Sequence, residues 1–327
     1  MNSFGRLFRV NIFGESHGSS VGISIDGCPA GLSIVAADFS EDIERRKGGI
    51  QKGTTPRKED DIPEFLSGVF NDKTTGAPLT ILFQNQNTRS SDYEKQRDVP
   101  RPGHADFVAQ KKFNGFQDYR GGGHFSGRLT VCLVAAGVIA KKILALKNIS
   151  CKATILEIGG EKDKDKGLQK AINAKDSIGG IIECEASNIP IGLGEPFFDS
   201  AESLISHAVF SIPAIKAIEF GAGFAGARMF GSEHNDAQLD DKGHTKTNHA
   251  GGIVGGISNG NNIVFRVAVK PTSSTPKEQQ TYNNISQQVE SFSVKGRHDL
   301  CIALRVPVVL EAVTAIVLAD LLIVEGF

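Results

Sequence analysis

The sequence predicts a single α+β domain built around two buried helices. Two long segments, residues 127–147 and 306–324, are apolar nearly all round, which is typical of helices inside a layered core. Short stretches that alternate between apolar and polar residues are typical of half-buried strands, and they occur before and between these segments. No stretch of the sequence has the composition of a linker between domains, so residues 1–327 are interpreted as one domain.

The N-terminal third is predicted to begin with a strand and a short helix. Residues 21–27 alternate like a half-buried strand and end at a Cys-Pro-Ala-Gly turn. Residues 38–47 are predicted to form a helix because Phe39 and Ile43 share one face and a Gly-Gly pair follows as a stop signal. Further strands are predicted at 65–70 and 79–84, and a short helix at 105–114.

The rest of the chain alternates between strands and helices around the apolar segments. The first turn of the helix at 127–147 carries Ser126 and Arg128, where unpaired backbone N–H groups could face an anion. The charged segment 161–175 is interpreted as a surface excursion, and the glycine-rich segment 221–260 as a loop for ligand or subunit contact. The remaining predicted elements are strands at 152–158, 180–185, 214–220 and 262–269 and a helix at 201–210.

A repeated dipeptide suggests an internal duplication. Gly127-Arg128 and Gly296-Arg297 each introduce one of the two apolar helices. The histidine-containing segments, however, do not repeat at the same interval.

Composition narrows the class of protein. A net charge of -1, with 22% charged and 40% apolar residues, favours neither disorder nor general attraction to nucleic acid. The five cysteines form no C-x-x-C pair, and residues 1–13 lack a continuous apolar run, so a reduced, cytoplasmic protein without a signal peptide is expected. Glu311 and Asp320 interrupt the most apolar segment, which favours a buried helix over a membrane span.

The arginines are concentrated in the first part of the chain. Ten of the fourteen precede residue 130, and lysine dominates elsewhere. Because the guanidinium offers a rigid fork that matches carboxylate and phosphate, this placement predicts a small polyanionic ligand held by the first third. A surface network of ion pairs is the alternative explanation.

Two histidines, one aspartate and one turn predict proton transfer at a phosphate-handling site. His17 lies in Gly-Glu-Ser-His-Gly and His104 in Arg-Pro-Gly-His-Ala-Asp, and imidazole exchanges protons near neutral pH. Asp299 follows an arginine closely in Gly-Arg-His-Asp. The Lys-Pro-Thr-Ser-Ser turn at 270–274 can offer an ammonium group, hydroxyls and backbone amides to a phosphate without matching a P-loop.

Two other classes of protein compete with this interpretation. A metal hydrolase would need ligand spacing such as H-E-x-x-H, which the histidines do not show, so no metal site is expected. A non-catalytic anion-binding module would explain the arginines but not the two histidines together with Asp299.

Taken in chain order, these motifs resemble the chorismate synthase family nearly from end to end. The words that carry the resemblance are Phe8-Arg9-Val10 through Gly14-Glu15-Ser16-His17-Gly18, Asp26-Gly27-Cys28-Pro29-Ala30-Gly31, Glu44-Arg45-Arg46, Ser67-Gly68-Val69-Phe70, Thr74-Thr75-Gly76, Arg101-Pro102-Gly103-His104-Ala105-Asp106, Asp118-Tyr119-Arg120-Gly121-Gly122-Gly123, Gly251-Gly252-Ile253-Val254-Gly255-Gly256-Ile257-Ser258, Lys270-Pro271-Thr272-Ser273-Ser274 and Gly296-Arg297-His298-Asp299.

The resemblance implies a carbon–oxygen lyase of the shikimate pathway, which leads to the aromatic amino acids. The implied reaction is the 1,4-trans elimination of phosphate from 5-enolpyruvylshikimate 3-phosphate to give chorismate, with reduced FMN and no net redox change. The implied fold is a sandwich with buried helices between two mostly antiparallel sheets, usually assembled as a homotetramer. Whether the enzyme reduces its flavin with NADPH or depends on an external reductase is left open.

The resemblance also implies roles for individual residues. His17 would act as a general acid near the reduced flavin, His104 would aid flavin protonation or phosphate departure, and Asp299 would help the flavin N5 take up the C6 proton. The implied substrate-binding residues are Arg46, Arg57, Arg101, Ser126, Arg128 and Arg297. The implied FMN-binding residues are His124, Phe125, Ser126, Ala214, Gly255, Lys270, Pro271, Thr272, Ser273, Ser274 and Arg297.

The resemblance also implies a contact with NADPH, and the chain departs from the family pattern at two places. Arg46 and Lys52 fall where the resemblance implies contact with NADPH. Lys52 stands where many members carry arginine, so a point charge replaces a bidentate fork. His124-Phe125-Ser126 stands where an Arg-Ser-Ser run is commoner, which changes the detailed contacts expected with the flavin.

Overall fold

Two antiparallel sheets enclose a pair of apolar helices. The computed structural model describes residues 2–49, 51–88, 97–294 and 298–326. The helices are α1 Ser40–Arg46, α2 Asp106–Lys112, α3 Thr130–Ala145, α4 Lys164–Ala174, α5 Ala201–Val209, α6 Gly231–His234 and α7 Val306–Val324. The strands are β1 Ser3–Phe4, β2 Arg9–Gly14, β3 Ser20–Asp26, β4 Glu64–Ser67, β5 Val69–Phe70, β6 Lys73–Thr74, β7 Leu79–Gln84, β8 Ser150–Ile158, β9 Gly180–Ser187, β10 Ile215–Phe220, β11 Ile253–Val254, β12 Ile257–Ser258, β13 Ile263–Val269, β14 Gln279–Asn283 and β15 Gln288–Phe292.

The layers follow the order sheet, helices, sheet. One sheet has the strand order β1-β2-β3-β7-β4 and the other β10-β13-β9-β8, and every neighbouring pair is antiparallel. Helix α3 packs along α7, with α3 also against β2 and β3, and α7 against β8 and β9. Each helix therefore contacts apolar groups on several sides, which explains why both are apolar nearly all round. The predicted α+β sandwich is confirmed.

One glycine sets how closely the two central helices approach. A Cβ atom built on Gly137 of α3 would lie 2.3 Å from the Cβ of Ala312 in α7 and 2.6 Å from its Cα. Real Cβ atoms do not approach other atoms so closely, so only glycine fits at this crossing.

Replacing Gly137 by alanine should destabilise the protein, although alanine is the better helix former in isolation. We expect the free energy of unfolding in urea to fall by about 1–3 kcal/mol, because the added methyl overpacks the helix crossing. Gly231→Ala is the matched control, since a Cβ there meets nothing within 4 Å. A Gly137→Ala variant at least as stable as the parent would contradict this packing.

Several predicted boundaries need correction. The strand predicted at 65–70 is broken at Gly68, where φ is +82° and a Cβ would lie 2.5 Å from the Leu79 Cα. The excursion predicted at 161–175 contains α4, which buries Leu168 and Ala171 and is capped by the Asp163 carboxylate. The first turn of the helix predicted at 127–147 is a 3-10 turn, Gly127–Leu129, and strands β2, β14 and β15 were not predicted.

Two further expectations concern the chain as a whole. Among the described residues one helical stretch, Ile302–Val324, has the length and apolar composition of a membrane span. However, 89% of the most apolar 18 residues of this stretch is buried inside the protein. A core helix satisfies the same criteria. The interpretation of residues 1–327 as one domain with an internal duplication stays a prediction.

Candidate active site

A cavity of about 700 Å³ lies beside the central helices. Leu133 of α3 and Val309, Val313 and Ile316 of α7 form part of its apolar wall. Of the described residues, seven cationic side chains line it and only three carboxylates do: Arg46, Lys47, Arg57, Arg101, Arg128, Lys270 and Arg305 against Glu59, Asp61 and Asp299. This excess of positive charge suits a small polyanion, and the volume lies in the range of small-molecule and cofactor sites.

A glycine turn brings the two predicted histidines together. Gly121, Gly122 and Gly123 have φ angles of +59°, +82° and +53°, a conformation that favours glycine. A Cβ on Gly121 would lie 2.4 Å from Cδ2 of His17, and one on Gly122 would lie 3.4 Å from Cε1 of His104. The two imidazoles therefore pack against neighbouring residues of one turn. His104 lines the cavity, whereas His17 is buried behind Gly121, which does line it.

Substitution of Gly121 by alanine should impair turnover by displacing His17. We expect kcat to fall by about 10²-fold, because the resemblance implies that His17 is a general acid and a shift of about 1 Å in such a group can cost that much. Gly115→Ala is the control, since Gly115 also has a positive φ, +81°, but a Cβ there meets nothing within 4 Å. Steady-state kinetics of both variants measure the difference. Equal kcat values would show that backbone strain, and not the His17 contact, explains any loss.

Arg101 and His104 share one carboxylate. Asp106 accepts hydrogen bonds from Arg101 Nε at 2.7 Å and Nη2 at 2.8 Å, and its Oδ1 lies 2.6 Å from His104 Nδ1. Burial raises the pKa of Asp106, but hydrogen bonds from Arg101 and His104 outweigh that effect and hold the pKa far below its ordinary value. The carboxylate therefore stays ionised beside the imidazole.

Arg46 and Arg128 are both buried and share Asp61. Arg46 donates to Thr130 Oγ1 at 3.0 Å and to the carbonyl oxygen of Gly127 at 2.7 Å. Arg128 donates to Asp61. Burial, with repulsion from other guanidinium groups, lowers the pKa of Arg46 to about 9 even though Asp61 opposes the shift. Most donors of both side chains are thus used within the protein.

Arg57 holds the turn that carries His17. It donates to Glu59 Oε1 at 2.6 Å, to Ser16 Oγ at 3.1 Å and to the Ser16 carbonyl oxygen at 3.3 Å. Two backbone N–H groups, of Gln86 and Asn87, donate to the other Glu59 oxygen. The Arg57–Glu59 pair therefore ties two loops to the residue before His17.

Asp299 is held by a residue to which the sequence assigned no role. Arg305 donates to Asp299 Oδ2 at 2.9 Å and to the carbonyl oxygen of Arg46 at 2.8 Å. The Thr55 N–H donates to Asp299 Oδ1 at 2.9 Å. Arg305, Glu59 and Asp61 are the site residues that sequence reasoning missed. Only the position of Arg305, six residues after Asp299, could have pointed to a pair.

The Lys270–Ser274 turn lines the cavity next to the His104 loop. Lys270 Nζ donates to the Gly103 carbonyl oxygen at 2.5 Å and to Ser273 Oγ at 2.9 Å, and Arg101 donates to Ser274 Oγ at 3.0 Å. Burial, with repulsion from Lys216, lowers the pKa of Lys270. The buried Thr272 hydroxyl has no hydrogen-bond partner among the described residues. A ligand oxygen at this turn would supply one.

Most other predicted flavin-binding residues also lie at the cavity. His124 Nδ1 lies 2.8 Å from the Gly14 carbonyl oxygen, so Nδ1 carries a hydrogen. Ser126 caps the turn before α3 by accepting from the Arg128 N–H at 3.3 Å. Phe125 and Ala214 line the cavity, and Ala214 has a positive φ of +77°.

Three predicted site residues in the described part of the chain, His17, Lys52 and Gly255, do not line the cavity. Gly255 is exposed in the β11–β12 turn, and Lys52 is exposed in the first half of the loop that joins α1 to β4. Arg297 lies outside the described residues. Within the described ranges, no group of three or more His, Cys, Asp and Glu side chains is placed to hold a metal ion.

Comparisons with known proteins agree on one family. A sequence profile described as chorismate synthase matches residues 8–323. A chorismate synthase from Chitinophaga pinensis is 72% identical over 325 residues, covering 99% of this chain and 97% of the relative. One from Dehalococcoides mccartyi is 45% identical over 354 residues, covering 99% and 97%. A crystal structure of a chorismate synthase superposes with a TM-score of 0.77 at 28% identity and covers 98% of this chain and 93% of that one.

Proposed function

Because the chain belongs to the chorismate synthase family, we propose that its cavity binds 5-enolpyruvylshikimate 3-phosphate beside reduced FMN. The chain is a lyase of the shikimate pathway, which forms chorismate by 1,4-trans elimination of phosphate from that substrate. The observation that supports the proposal is the positive cavity lined by His104 and by Gly121, against which His17 packs.

The charge of the cavity fits the substrate. The substrate brings one phosphate and two carboxylates, and desolvating these groups is favourable only where cationic donors replace water. Arg101 and Lys270 stand at one part of the wall, and Arg46, Arg57 and Arg128 at another. Since these arginines already pair with Glu59, Asp61 and Asp106, their planes are fixed before substrate arrives. Ser126 adds a hydroxyl at the first turn before α3.

We propose that the Lys270–Ser274 turn binds the phosphate of FMN. Thr272 and Lys270 both line the cavity, and a phosphate oxygen would supply the partner that the Thr272 hydroxyl lacks beside a cationic ammonium group. His124, Phe125 and Ala214 line the same cavity and are proposed to contact the flavin. Gly255 and Arg297 remain proposals without such support from the described residues.

The proposed chemistry divides proton handling among three residues. Reduced FMN, when bound, supplies electron density that assists loss of phosphate and is recovered unchanged. His17, packed on Gly121, serves as the general acid near the flavin, and His104 protonates either the flavin or the departing phosphate. Asp299, oriented by Arg305 and the Thr55 N–H, assists uptake of the C6 proton.

An anaerobic assay tests the proposal directly. Purified protein, substrate and FMN reduced with dithionite should yield chorismate. A second arm, with NADPH in place of dithionite, decides between flavin reduction on the enzyme and an external reductase. No chorismate in the first arm would refute the function; none in the second alone would identify a monofunctional enzyme.

Arg46 and Lys52 remain the proposed NADPH contacts. If the enzyme reduces its flavin with NADPH, Lys52→Ala should raise the KM for NADPH without altering the dithionite-driven rate.

We also propose a cytoplasmic homotetramer. Four phenylalanine side chains, Phe197, Phe198, Phe224 and Phe230, are each at least 76% exposed, and two of them lie in the segment predicted for subunit contact. Burial of such side chains between subunits would be favourable. Sedimentation of the purified protein measures the assembly. The five free cysteines support a reducing compartment.

A further inference from the structure

The carboxylate of Asp106 lies between a proposed proton donor and a proposed anion-binding arginine. Its Oδ1 is 2.6 Å from His104 Nδ1, and the same carboxylate accepts from Arg101 Nε at 2.7 Å and from the Arg101 backbone N–H at 3.1 Å. The side chain is only 11% exposed, so these contacts are shielded from water. Asp106 opens helix α2, which fixes its backbone two residues after His104.

The geometry identifies which nitrogen of His104 carries a hydrogen. An ionised carboxylate can only accept, so an oxygen 2.6 Å from Nδ1 requires a hydrogen between the two atoms. Arg101 Nη2 lies 3.1 Å from the same nitrogen but, as a donor, cannot share that hydrogen. Nδ1 therefore donates to Asp106, and Nε2 is left as the nitrogen that exchanges protons in the cavity. A Cβ built on Gly122 would lie 3.4 Å from Cε1 and 3.6 Å from Nε2, so this edge of the ring packs against the glycine.

We propose that Asp106 is a positioning residue for the elimination, holding the hydrogen of His104 on Nδ1 so that Nε2 performs the proton transfer. This inference rests on the proposed role of His104. The same carboxylate aligns Arg101, whose Nη1 donates to Ser274 at 3.0 Å, and so connects the histidine to the Lys270–Ser274 turn. Asp106 acts through these two neighbours and is not itself a catalytic group.

Asp106→Asn is the decisive variant, because it keeps the shape of the side chain and removes the charge. An amide N–H facing Nδ1 favours a bare Nδ1 and moves the hydrogen to Nε2. We expect kcat to fall by about 10²-fold, the lower end of the contribution of a general acid or base. If the substitution instead acted by misaligning Arg101, the KM for the substrate would rise. Asp38→Asn is the control, since Asp38 pairs with Lys142 and does not line the cavity.

A double-mutant cycle tests whether Asp106 affects kcat through His104 or independently of it. In a His104→Ala background, Asp106→Asn should lower kcat by less than about threefold if it acts through the imidazole. If the two substitutions lower kcat independently, so that their fold losses multiply in the double variant, the inference is overturned. An Asp106→Asn variant with the parental kcat, beside an impaired His104→Ala variant, would overturn it while leaving the function intact. Full activity of His104→Ala would instead remove the proposed role of His104 itself.

A spectroscopic test does not depend on the activity of any variant. Two-bond nitrogen–hydrogen NMR correlations of the parent protein show which ring nitrogen of a neutral histidine carries the hydrogen. His104, assigned by its absence in His104→Ala, should show the hydrogen on Nδ1. A hydrogen on Nε2 with a bare Nδ1 would overturn the inference.

Discussion

Replacement of either His17 or His104 by alanine should lower kcat by about 10²–10⁴-fold, the usual contribution of a general acid or base. The two imidazoles pack against Gly121 and Gly122, so each removal leaves space beside a turn and does not disturb the apolar core. The rate should be measured anaerobically with dithionite-reduced FMN, beside urea denaturation of each variant.

His244→Ala is the matched control for both histidine variants. His244 is exposed, pairs with Asp240 and does not line the cavity, so its removal should leave turnover unchanged. If His17→Ala and His104→Ala fold and keep the parental kcat, the assignment of proton transfer to this turn is wrong.

The largest expected effect on stability is at Glu311, a carboxylate buried within the apolar helix α7. It accepts from Arg45 Nη2 at 2.7 Å, from Lys141 Nζ at 3.0 Å and from the Ala153 N–H at 3.0 Å. Glu311→Ala removes one of the two carboxylate partners of the mostly buried Lys141, which keeps Asp42, and leaves the Ala153 N–H without its acceptor. We therefore expect the free energy of unfolding near pH 7 to fall by about 3 kcal/mol. Glu44→Ala, which removes an exposed carboxylate, should change it by less than about 1 kcal/mol.

The effect of Glu311 should depend on pH in a defined direction. Burial raises the pKa of Glu311, but Arg45, Lys141 and the Ala153 N–H outweigh it and lower the pKa below the ordinary value of 4.5. Its contribution to stability is therefore present above pH 4.5 and is lost as the pH falls through the lowered pKa of the folded state. The difference between parent and Glu311→Gln should shrink in that acid range. A difference independent of pH would contradict the pairing.

Much of the fold could be predicted because its signals are local. Helix α3 and helix α7 are apolar nearly all round, and strand β7 alternates between turn signals, so their existence follows from neighbouring residues. The missed strands carry weak local signals. Among the described residues, β14 and β15 pair with each other, and neither buries a residue fully. Strand β2 pairs with both β1 and β3 but alternates only over Arg9-Val10-Asn11-Ile12, which is a short run.

The candidate site was predicted in part. His17, His104, Asp299 and the arginines were named through motifs, and within the described residues most of them meet at one cavity. Their carboxylate partners were missed because Glu59 and Asp61 lie in a polar loop, where acidic residues are common and local sequence says nothing about pairing. Asp106, the first residue of α2, was named only as part of the His104 motif. Arg305 was missed because its partner Asp299 lies before a helix start and carries no periodic signal.

By itself, the sequence determined the class of fold, the approximate extent of most elements, the polyanionic character of the ligand and, through its motifs, the family. Tertiary structure alone decided that the two imidazoles pack against the neighbouring residues Gly121 and Gly122, that Asp61 lies between Arg46 and Arg128, and that Asp106 faces Nδ1 of His104. Periodicity and composition arise from each residue's immediate neighbours and can be read along the chain. Most of these contacts join residues far apart in sequence, and their distances exist only once the two sheets close over α3 and α7.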